Sequence, residues 1–291
     1  MELKKIGLIS DIHGNATAAR EVIQDAKQNG VDEFWFLGDL FMPGPGRSEL
    51  LHLLLESNTT TFVKGNWDGC LTSVIEEYET INYGDPEEVF IFKLVHYVMK
   101  DLTEEELKFM FNIPMTVERE IYGVKFHLSH NLPENFGGGD LIVQSPAENF
   151  AKLFEYTDAQ IAIYGHIHQP VMRRVGMGDE RVVINPGAVS TTQNKDSSYS
   201  ILKVEECGKW SIEFRNLIHN HKQDLIEARR NDLSYYELYE DTVLNHIHHT
   251  HDVEGIDKVN KKYNYVHDLK AWLSDETMLT LMNKFRNKQL E

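Results

Sequence analysis

The chain contains few cysteines and no long apolar run. Its two cysteines, Cys70 and Cys207, lie far apart among 291 residues, which excludes a disulfide scaffold and favours a reducing compartment. No apolar stretch approaches the roughly 20 residues that a transmembrane helix needs. The apolar run at residues 6–9 is also too short for the core of a signal peptide. We therefore expect a soluble, cytoplasmic protein that does not act at a membrane.

Basic residues are scarce as well. Lys and Arg number 29 against 46 Asp and Glu, which gives a formal net charge of −17. Proteins that bind nucleic acid polymers or anionic membranes usually present a basic surface, so both classes of partner are disfavoured. A small phosphorylated substrate is compatible with this charge, because bound metal cations can reverse the local sign. The sequence makes no prediction of the oligomeric state.

The first third of the chain alternates predicted strands and helices. Apolar runs at residues 6–9, 34–37 and 61–63 are typical of buried strands. Between the first two runs, alanine and β-branched residues recur at helical spacing over residues 19–26. Between the second and third runs, Ser48 can cap a second helix. This order indicates an α/β fold with parallel strands and with helices outside the sheet.

Two later segments are predicted to be helical. Residues 69–114 have helical periodicity, and Thr103 with Glu106 forms a capping box. The chain is polar and helical again over residues 220–291. We predict a catalytic domain at residues 1–219, with residues 69–114 as an insertion, followed by a C-terminal extension. Because inserted helices beside strand ends commonly shape substrate choice, both helical segments are expected to form a cap beside the site.

Five short polar clusters each follow an apolar, strand-like run. They are Asp11-Ile12-His13-Gly14-Asn15, Gly38-Asp39, Gly65-Asn66-Trp67-Asp68, Ser129-His130-Asn131 and Gly165-His166-Ile167-His168. Each cluster alone is weak evidence, since a Gly-Asp pair is usually a turn. However, functional sites of open α/β sheets are built at the carboxyl ends of strands. Clusters that are distant in the sequence can therefore converge on one place.

The residue types in these clusters suit a pair of metal ions. Carboxylates and imidazoles are ligands for Mn, Fe and Zn. Asp11 and His13 are two residues apart, as are His166 and His168. An extended backbone would direct both side chains of each pair to the same side. The sequence therefore predicts two divalent or trivalent transition-metal ions as cofactors.

In this order, the clusters resemble the calcineurin-like metallophosphoesterase superfamily, and most closely its small bacterial and archaeal phosphodiesterase branch. Asn185-Pro186-Gly187-Ala188, followed by Ser198-Tyr199, is similar to the closing segment of that branch. The resemblance covers residues 3 to about 215. It implies a four-layer αββα sandwich, in which two β-sheets are flanked by helices and two metal ions lie at the strand ends.

The resemblance also implies roles for seven side chains as metal ligands. The first ion would be held by Asp11, His13 and His168. The second ion would be held by Asn66, His130 and His166. The ligand that bridges both ions would be Asp39, and the catalytic candidates are Asp39, Asn66 and His130. Two cations about 3.5–4 Å apart would stabilise both the attacking and the leaving oxygen and supply hydroxide at neutral pH.

Trp67 departs from the family pattern, which often has histidine at this position. Tryptophan cannot give a leaving oxygen the proton that histidine could supply. That loss matters little when the leaving group is itself a phosphate. We therefore predict that phosphoanhydrides, such as dinucleoside polyphosphates, and aryl esters are preferred over alkyl monoesters, and that Trp67 stacks on a base. The alternative is that Trp67 packs into the core and another histidine serves as the acid. Arg173 is a further candidate for contact with the substrate phosphate, and surface charge on the next strand is the alternative.

The predicted function is metal-dependent hydrolysis of small phosphate esters or anhydrides, in particular of nucleotides. Two other classes of function stay open. One is a protein-binding scaffold, since the superfamily includes a retromer trafficking subunit with this fold, and the other is a nuclease. A full ligand set argues against a scaffold, and the negative charge argues against a nuclease.

Two features have alternative interpretations. Asp68 could accept a hydrogen bond from a metal-binding histidine, or it could be an acid that is favoured at a helix N-terminus.

A histidine cluster lies near the C-terminal end of the chain and consists of His246, His248, His249 and His251. As a metal site this cluster lacks a partner carboxylate with clear geometry, so we interpret it as a solvated helical face.

Overall fold

The computed structural model describes residues 2–176, 181–190 and 196–287. The last part of the predicted C-terminal extension, residues 288–291, lies outside the described residues. None of the helices in the described ranges combines the length and the apolar character that crossing a bilayer requires.

Two five-stranded sheets face each other at the centre of the fold. The first sheet consists of β1 (Leu3–Ile9), β2 (Glu33–Phe36), β3 (Thr59–Phe62), β9 (Asp196–Glu205) and β10 (Trp210–Ile218). Its strand order is β10-β9-β1-β2-β3. The predicted parallel pairing of the first three strands is confirmed, whereas β9 runs antiparallel to both β1 and β10.

The second sheet is formed by the middle of the chain. It consists of β4 (Thr116–Ile121), β5 (Val124–Ser129), β6 (Ile161–Tyr164), β7 (Pro170–Val175) and β8 (Arg181–Pro186). Its strand order is β4-β5-β6-β8-β7. Strands β5, β6 and β8 are parallel, and a hairpin partner lies antiparallel at each edge.

An apolar layer holds the two sheets together. Trp35 of the first sheet meets Phe126 of the second edge to face, with ring centroids 5.5 Å apart. Leu8, Ile163 and Ile184 belong to the same buried cluster. Such burial stabilises the sandwich because it removes large apolar surfaces from water.

Helices cover both outer faces. Helix α1 (Ala16–Gln28) and helix α2 (Ser48–Glu56) connect the parallel strands of the first sheet, and α6 (Ala147–Ala151) covers the second sheet. The predicted four-layer αββα architecture is therefore confirmed. One local prediction is wrong, because Ser48 is the first residue of α2 and Arg47 occupies the cap position.

The remaining helices lie in two stretches of sequence. The first stretch contains α3 (Asn66–Glu77), α4 (Pro86–Met99) and α5 (Glu104–Asn112). The second contains α7 (His221–Arg230), α8 (Tyr236–Asn245), α9 (Val253–Tyr263), α10 (Tyr265–Trp272) and α11 (Glu276–Arg286). The capping box at the start of α5 is confirmed, since Thr103 accepts the Glu106 amide and Glu106 accepts the Thr103 amide.

The two helical stretches share one apolar core. Helix α4 packs against α9 and α10, and α11 packs against α3. Trp272 of α10 stacks on His96 of α4 with ring centroids 4.5 Å apart. Phe285 of α11 contacts Phe111 of α5 at 4.8 Å between ring centroids. The C-terminal helices are therefore packed as core elements rather than as a loosely attached tail.

Replacing Phe285 by Ala tests this packing. Phe285 is 1% exposed, and removal of a buried phenyl ring typically costs about 3–5 kcal/mol of unfolding free energy. We expect a loss of this size in urea denaturation. Ile226→Ala is the matched control, because Ile226 is 58% exposed and its loss should cost less than about 0.5 kcal/mol. Equal effects of the two variants would contradict the shared core.

Candidate metal centre

The structure brings all seven predicted ligands to one edge of the fold. Asp11, Asp39 and Asn66 follow β1, β2 and β3, which run parallel in the first sheet. His130 follows β5, and the segment from His166 to His168 follows β6 of the second sheet. Because parallel strands end at the same edge, these side chains meet where the two sheets open.

One group of ligand atoms surrounds Asp11. Its Oδ1 lies 3.3 Å from His168 Nε2 and 3.7 Å from His13 Nε2. The two imidazole nitrogens are 2.9 Å apart. Asp11, His13 and His168 thus form a compact group that could hold one metal ion, and they are the three residues that the family resemblance assigns to the first ion.

A second group surrounds Asp39. Its Oδ2 lies 3.3 Å from His130 Nε2, and Asp39, His130 and His166 could together hold a metal ion. Asn66 Oδ1 is 3.1 Å from His130 Nε2 and 2.9 Å from His166 Nδ1. The geometry therefore places Asn66 in this second group. The individual ligand roles stay predictions.

The histidine rings are held by their outward-facing nitrogens. His13 Nδ1 donates to the Met42 carbonyl at 2.8 Å, and His130 Nδ1 donates to the Leu37 carbonyl at 2.6 Å. His166 Nε2 donates to the Gly138 carbonyl at 3.0 Å. Each ring then directs its other nitrogen toward the centre, where a metal ion could take the place of a proton. Backbone carbonyls commonly orient metal-binding histidines in this way.

Asp11 provides a test of whether a cation fits here. Its Oδ2 accepts hydrogen bonds from Ser10 Oγ and from the His166 amide. Its Oδ1 is buried and has no hydrogen-bond partner within the described part of the chain. A buried, unpaired carboxylate oxygen is costly, and a cation between Asp11, His13 and His168 would satisfy it. The donor set of carboxylate, imidazole and amide oxygens also suits transition metals.

The charges of the site favour a cation. Burial lowers the pKa of His130, but the nearby carboxylates of Asp39 and Asp11 outweigh this effect and raise it to about 10. Burial opposes ionisation of Asp39, but attraction to His130 and His13 dominates and lowers the pKa of that carboxyl. The carboxylates thus require positive charge beside them, which a proton on His130 or a metal ion can supply.

The backbone that carries the ligands is left-handed at five positions. These are Asp11 (φ 54°), His13 (φ 48°), Asp39 (φ 62°), His166 (φ 71°) and His168 (φ 55°). The premise that each two-residue pair lies on an extended segment is therefore wrong, because these residues form tight turns. Such conformations cost about 1–3 kcal/mol each where they are strained and persist because the surrounding structure holds them.

Gly65 allows two of the ligand loops to pack closely. A Cβ atom built at Gly65 would overlap the carboxylate of Asp39. At Gly38, where φ is 100°, a Cβ atom would lie 2.6 Å from the Gly65 amide nitrogen. The loops after β2 and β3 can therefore touch because neither glycine has a side chain.

Asp68 holds the same two loops together. Its Oδ2 accepts hydrogen bonds from the amides of Asp39 and Gly65, both at 2.9 Å, and its Oδ1 accepts from the Leu40 amide at 3.1 Å. Burial and the nearby Asp39 charge raise the pKa of Asp68 to about 6. Asp68 thus positions the backbone of the ligand loops. The helix N-terminal acid is the better of the two earlier interpretations, since Asp68 occupies the first turn of α3.

A cavity of about 160 Å³ opens above the ligands. His13, Asp39, Asn66, His166 and His168 form its floor. Its opposite wall comes from α8 and the loop that follows, with Tyr239, Thr242, Val243, His248 and Thr250. This wall belongs to the C-terminal extension that is predicted to form a cap, whereas none of the described lining residues comes from residues 69–114. No signal in the sequence indicates that His248 in particular borders the cavity.

The rest of that histidine cluster has other partners. His249 lies between Asp241 and Asp252, with distances of 2.6 Å and 2.8 Å to their carboxylates. His251 is an exposed side chain, 3.0 Å from Glu87. The interpretation of a solvated helical face is wrong, because residues 246–251 lie in the loop between α8 and α9 and His249 and His251 have carboxylate partners. His251 is solvated, whereas His248 borders the cavity.

The two predicted substrate-binding residues lie in different places. Trp67 borders the cavity, and its ring meets His13 edge to face at 6.2 Å between centroids. Arg173 lies on β7 instead, where its guanidinium donates to the Ser145 carbonyl at 2.7 Å and stacks over Phe150. The structure does not bring Arg173 into the ligand group, and its contacts favour the alternative of a charge on the neighbouring strand.

Replacing Asp68 by Asn tests how the ligand loops are held. The amide keeps one oxygen but directs a donor at a backbone N–H, which should cost about 1–3 kcal/mol of unfolding free energy. Looser ligand loops should also weaken metal binding by about 10- to 100-fold, as measured by calorimetric titration. Asp158→Asn is the control, since Asp158 pairs with Lys125 at the surface. Wild-type metal affinity in Asp68→Asn would contradict the positioning role.

Comparisons with known proteins agree with this geometry. Uncharacterized protein MJ0912 of Methanocaldococcus jannaschii is 27% identical over 216 residues, which cover 69% of this chain and 83% of that protein. A metallophosphoesterase structure from Sphaerobacter thermophilus has a TM-score of 0.61 at 22% identity and covers 80% of this chain and 95% of its own. The structure of hypothetical protein PH1004 from Pyrococcus horikoshii OT3 has a TM-score of 0.63 at 15% identity, covering 79% and 94%.

These two structures share the fold with this chain. The family assignment comes from a family model, that of the calcineurin-like phosphoesterase superfamily domain, which matches residues 5–207. That match contains the five polar clusters and both sheets up to β9, and it spans well over half of the chain. The chain therefore belongs to the calcineurin-like phosphoesterase superfamily and is a metal-dependent phosphoesterase.

Proposed function

We propose that this phosphoesterase hydrolyses nucleotide phosphoanhydrides, such as dinucleoside polyphosphates, at a centre of two transition-metal ions (Mn, Fe or Zn). One observation carries the proposal of two ions. Asp39 Oδ2 lies 3.3 Å from His130 Nε2 of one ligand group and 3.6 Å from His13 Nε2 of the other. A carboxylate between two sets of histidines can serve an ion on each side, which supports the bridging role of Asp39.

The chain's own side chains have distinct tasks in this reaction. When bound, two cations stabilise the attacking and leaving oxygens of an in-line displacement and lower the pKa of bound water. His13 and His130 present lone pairs in fixed directions, because backbone carbonyls hold their other ring nitrogens. Asn66 directs its oxygen toward His130 and His166. Its amide nitrogen is then available to donate a hydrogen bond to a phosphate oxygen.

The tryptophan at position 67 is consistent with the proposal that the leaving group departs without a proton donor. The indole occupies the position where the family often has histidine, and it lies against His13 at the edge of the cavity. General acid help typically contributes about 10² to 10⁴ in rate. A phosphate leaving group needs little such help, since its second pKa is about 6. Trp67 is only 8% exposed and belongs to the apolar core, so a base can contact only the small part of the indole that borders the cavity.

The residues of the wall opposite the ligands support the proposal that the C-terminal segment selects the substrate. Tyr239, Thr242 and Val243 of α8, with His248 and Thr250 after it, enclose the space above the metal ligands. They offer an aromatic ring, hydroxyls and an imidazole, which suit the base and sugar of a nucleotide. Helices α4 and α5 belong to the core behind this wall. The proposed cap is therefore the C-terminal segment, and the inserted helices support it.

The net charge and the free cysteines support the proposed partners and the proposed cytoplasmic location. A net charge of −17 disfavours polymeric nucleic acid and anionic membranes as partners. Cys70 and Cys207 are free thiols, which suits the cytoplasm. The scaffold alternative is less supported, because a protein-binding surface does not require buried carboxylates that face several histidines.

Asp39→Asn tests the two-ion proposal. The amide cannot neutralise a second cation, so we expect the loss of about one ion per chain by elemental analysis. Hydrolysis of a dinucleoside tetraphosphate with added Mn²⁺ should fall by at least about 100-fold. Asp158→Asn serves again as the surface control. Unchanged metal content and activity in Asp39→Asn would refute the bridging role.

Trp67→His tests the proposed choice of leaving group. A histidine can protonate an alkoxide, so hydrolysis of a sugar phosphate should rise by about 10-fold or more. Hydrolysis of the dinucleoside tetraphosphate should change less, since its leaving group is a phosphate. The ratio of the two kcat/KM values is the measurement. The idea fails if the wild type already hydrolyses the sugar phosphate as fast as the tetraphosphate.

A further inference from the structure

A second cluster of metal-ligand side chains lies at the start of the C-terminal segment. It consists of His219, just after β10, with His221 and Asp224 in the first turn of α7. His219 Nε2 is 2.8 Å from Asp224 Oδ2, and His221 Nδ1 is 3.7 Å from the same oxygen. These three residues are not among the seven predicted ligands of the centre.

We propose that His219, His221 and Asp224 bind a further divalent ion of the Zn²⁺ class, separate from the centre that hydrolyses the substrate. The chemistry of the donors supports this assignment. Two imidazoles with one carboxylate form a donor set that zinc and similar ions accept, and a water molecule can complete a tetrahedron.

The distances between the donors fit one ion. Ligand atoms at the corners of a tetrahedron, about 2.1 Å from a zinc ion, lie about 3.4 Å apart. The separations of 2.8 Å and 3.7 Å in this cluster lie on either side of that value. The group around Asp11 in the centre has the same range of separations, from 2.9 Å to 3.7 Å.

Burial gives a second, independent observation. Asp224 is 1% exposed, and its Oδ1 has no hydrogen-bond partner in the ranges that the structure describes. Its Oδ2 accepts a hydrogen bond from the Asn15 side-chain amide at 3.2 Å, and His219 Nε2 lies 2.8 Å from the same oxygen. A buried carboxylate with an unpaired oxygen is costly, and a cation held at Oδ2, the oxygen that faces His219 and His221, would neutralise its charge.

A buried hydroxyl supports the ring of His219. Ser197 Oγ lies 3.0 Å from His219 Nδ1. When Nδ1 donates its proton to this hydroxyl, Nε2 presents a lone pair toward Asp224 and His221. Metal-binding histidines are usually oriented by such a partner on the second ring nitrogen.

An ion at this place would join the C-terminal segment to the catalytic loop. Asn15 contacts Asp224 and His219 through its amide nitrogen, and its oxygen caps α1 by accepting the Ala18 amide. Asn15 also lies two residues after His13 and borders the substrate cavity. The ion would therefore fix the beginning of α7 against the loop that carries Asp11 and His13, and its role would be structural.

His221→Asn tests this site with little risk to the fold, because the His221 side chain is 20% exposed. After saturation with Zn²⁺ and removal of the unbound metal, the variant should hold about one ion less per chain than the wild type. The rise in Tm that Zn²⁺ produces should be smaller by about 5 °C, a typical effect of losing one ligand at saturation. His251→Asn is the control, since His251 is 90% exposed and pairs with Glu87.

A second variant separates this ion from those of the centre. His168→Asn should release an ion from the group around Asp11, and the double variant His168→Asn/His221→Asn should lose both ions additively. A double variant that holds as much zinc as His168→Asn alone would overturn the proposal. Equal zinc content and equal Tm shifts in His221→Asn and His251→Asn would overturn it as well.

Discussion

Two buried carboxylates set the condition that the rest of the site has to meet. Asp11 and Asp39 are both almost completely buried at the same edge of the sandwich. Removing a carboxylate from water costs several kcal/mol, and the like charge of a second one adds to that cost. Attraction to the surrounding histidines outweighs burial and lowers the pKa of both carboxyls, yet Asp11 keeps an oxygen without a hydrogen-bond partner within the described residues. The site is therefore suited to cations that bind between these carboxylates and the imidazoles.

The strained backbone follows from this requirement. The acids and histidines lie on four separate loops and Asn66 lies on a fifth, so they can point at one place only if the chain turns sharply after the strands. Five of the seven predicted ligands have left-handed φ angles. Asp68 compensates with three hydrogen bonds from the ligand loops. Backbone bonds such as that from the His13 amide to the Asp39 carbonyl join neighbouring loops. The strain is thus distributed over a hydrogen-bonded frame.

The sequence alone was sufficient to predict the features that depend on local pattern. The apolar runs before each polar cluster were sufficient to place Asp11, Asp39 and His130 at strand ends, because parallel strands share a carboxyl edge. The sequence alone could not predict features that depend on contacts between distant segments. Asp68 could not be assigned to the amides of Asp39 and Leu40. The C-terminal extension is predicted to form a cap, but the sequence did not identify α8 and His248 as the part that borders the cavity. Both contacts depend on how the helices pack against the first sheet, which has no periodic signal in the sequence.

The predicted metal ligands and the opposite wall of the cavity have separate structural foundations in this protein. The ligands belong to turns at the sheet edge, whereas the wall belongs to α8, which is held from behind by the helical core. Tyr235, at the start of α8, packs edge to face on Phe90 of α4 at 4.6 Å and donates its hydroxyl to Asn260 of α9. Because this anchor lies outside the ligand loops, Thr242, Val243 and His248 can differ in size or polarity without moving the metal ligands. The shape of the cavity is therefore adjustable while the distances around Asp11 and Asp39 stay fixed.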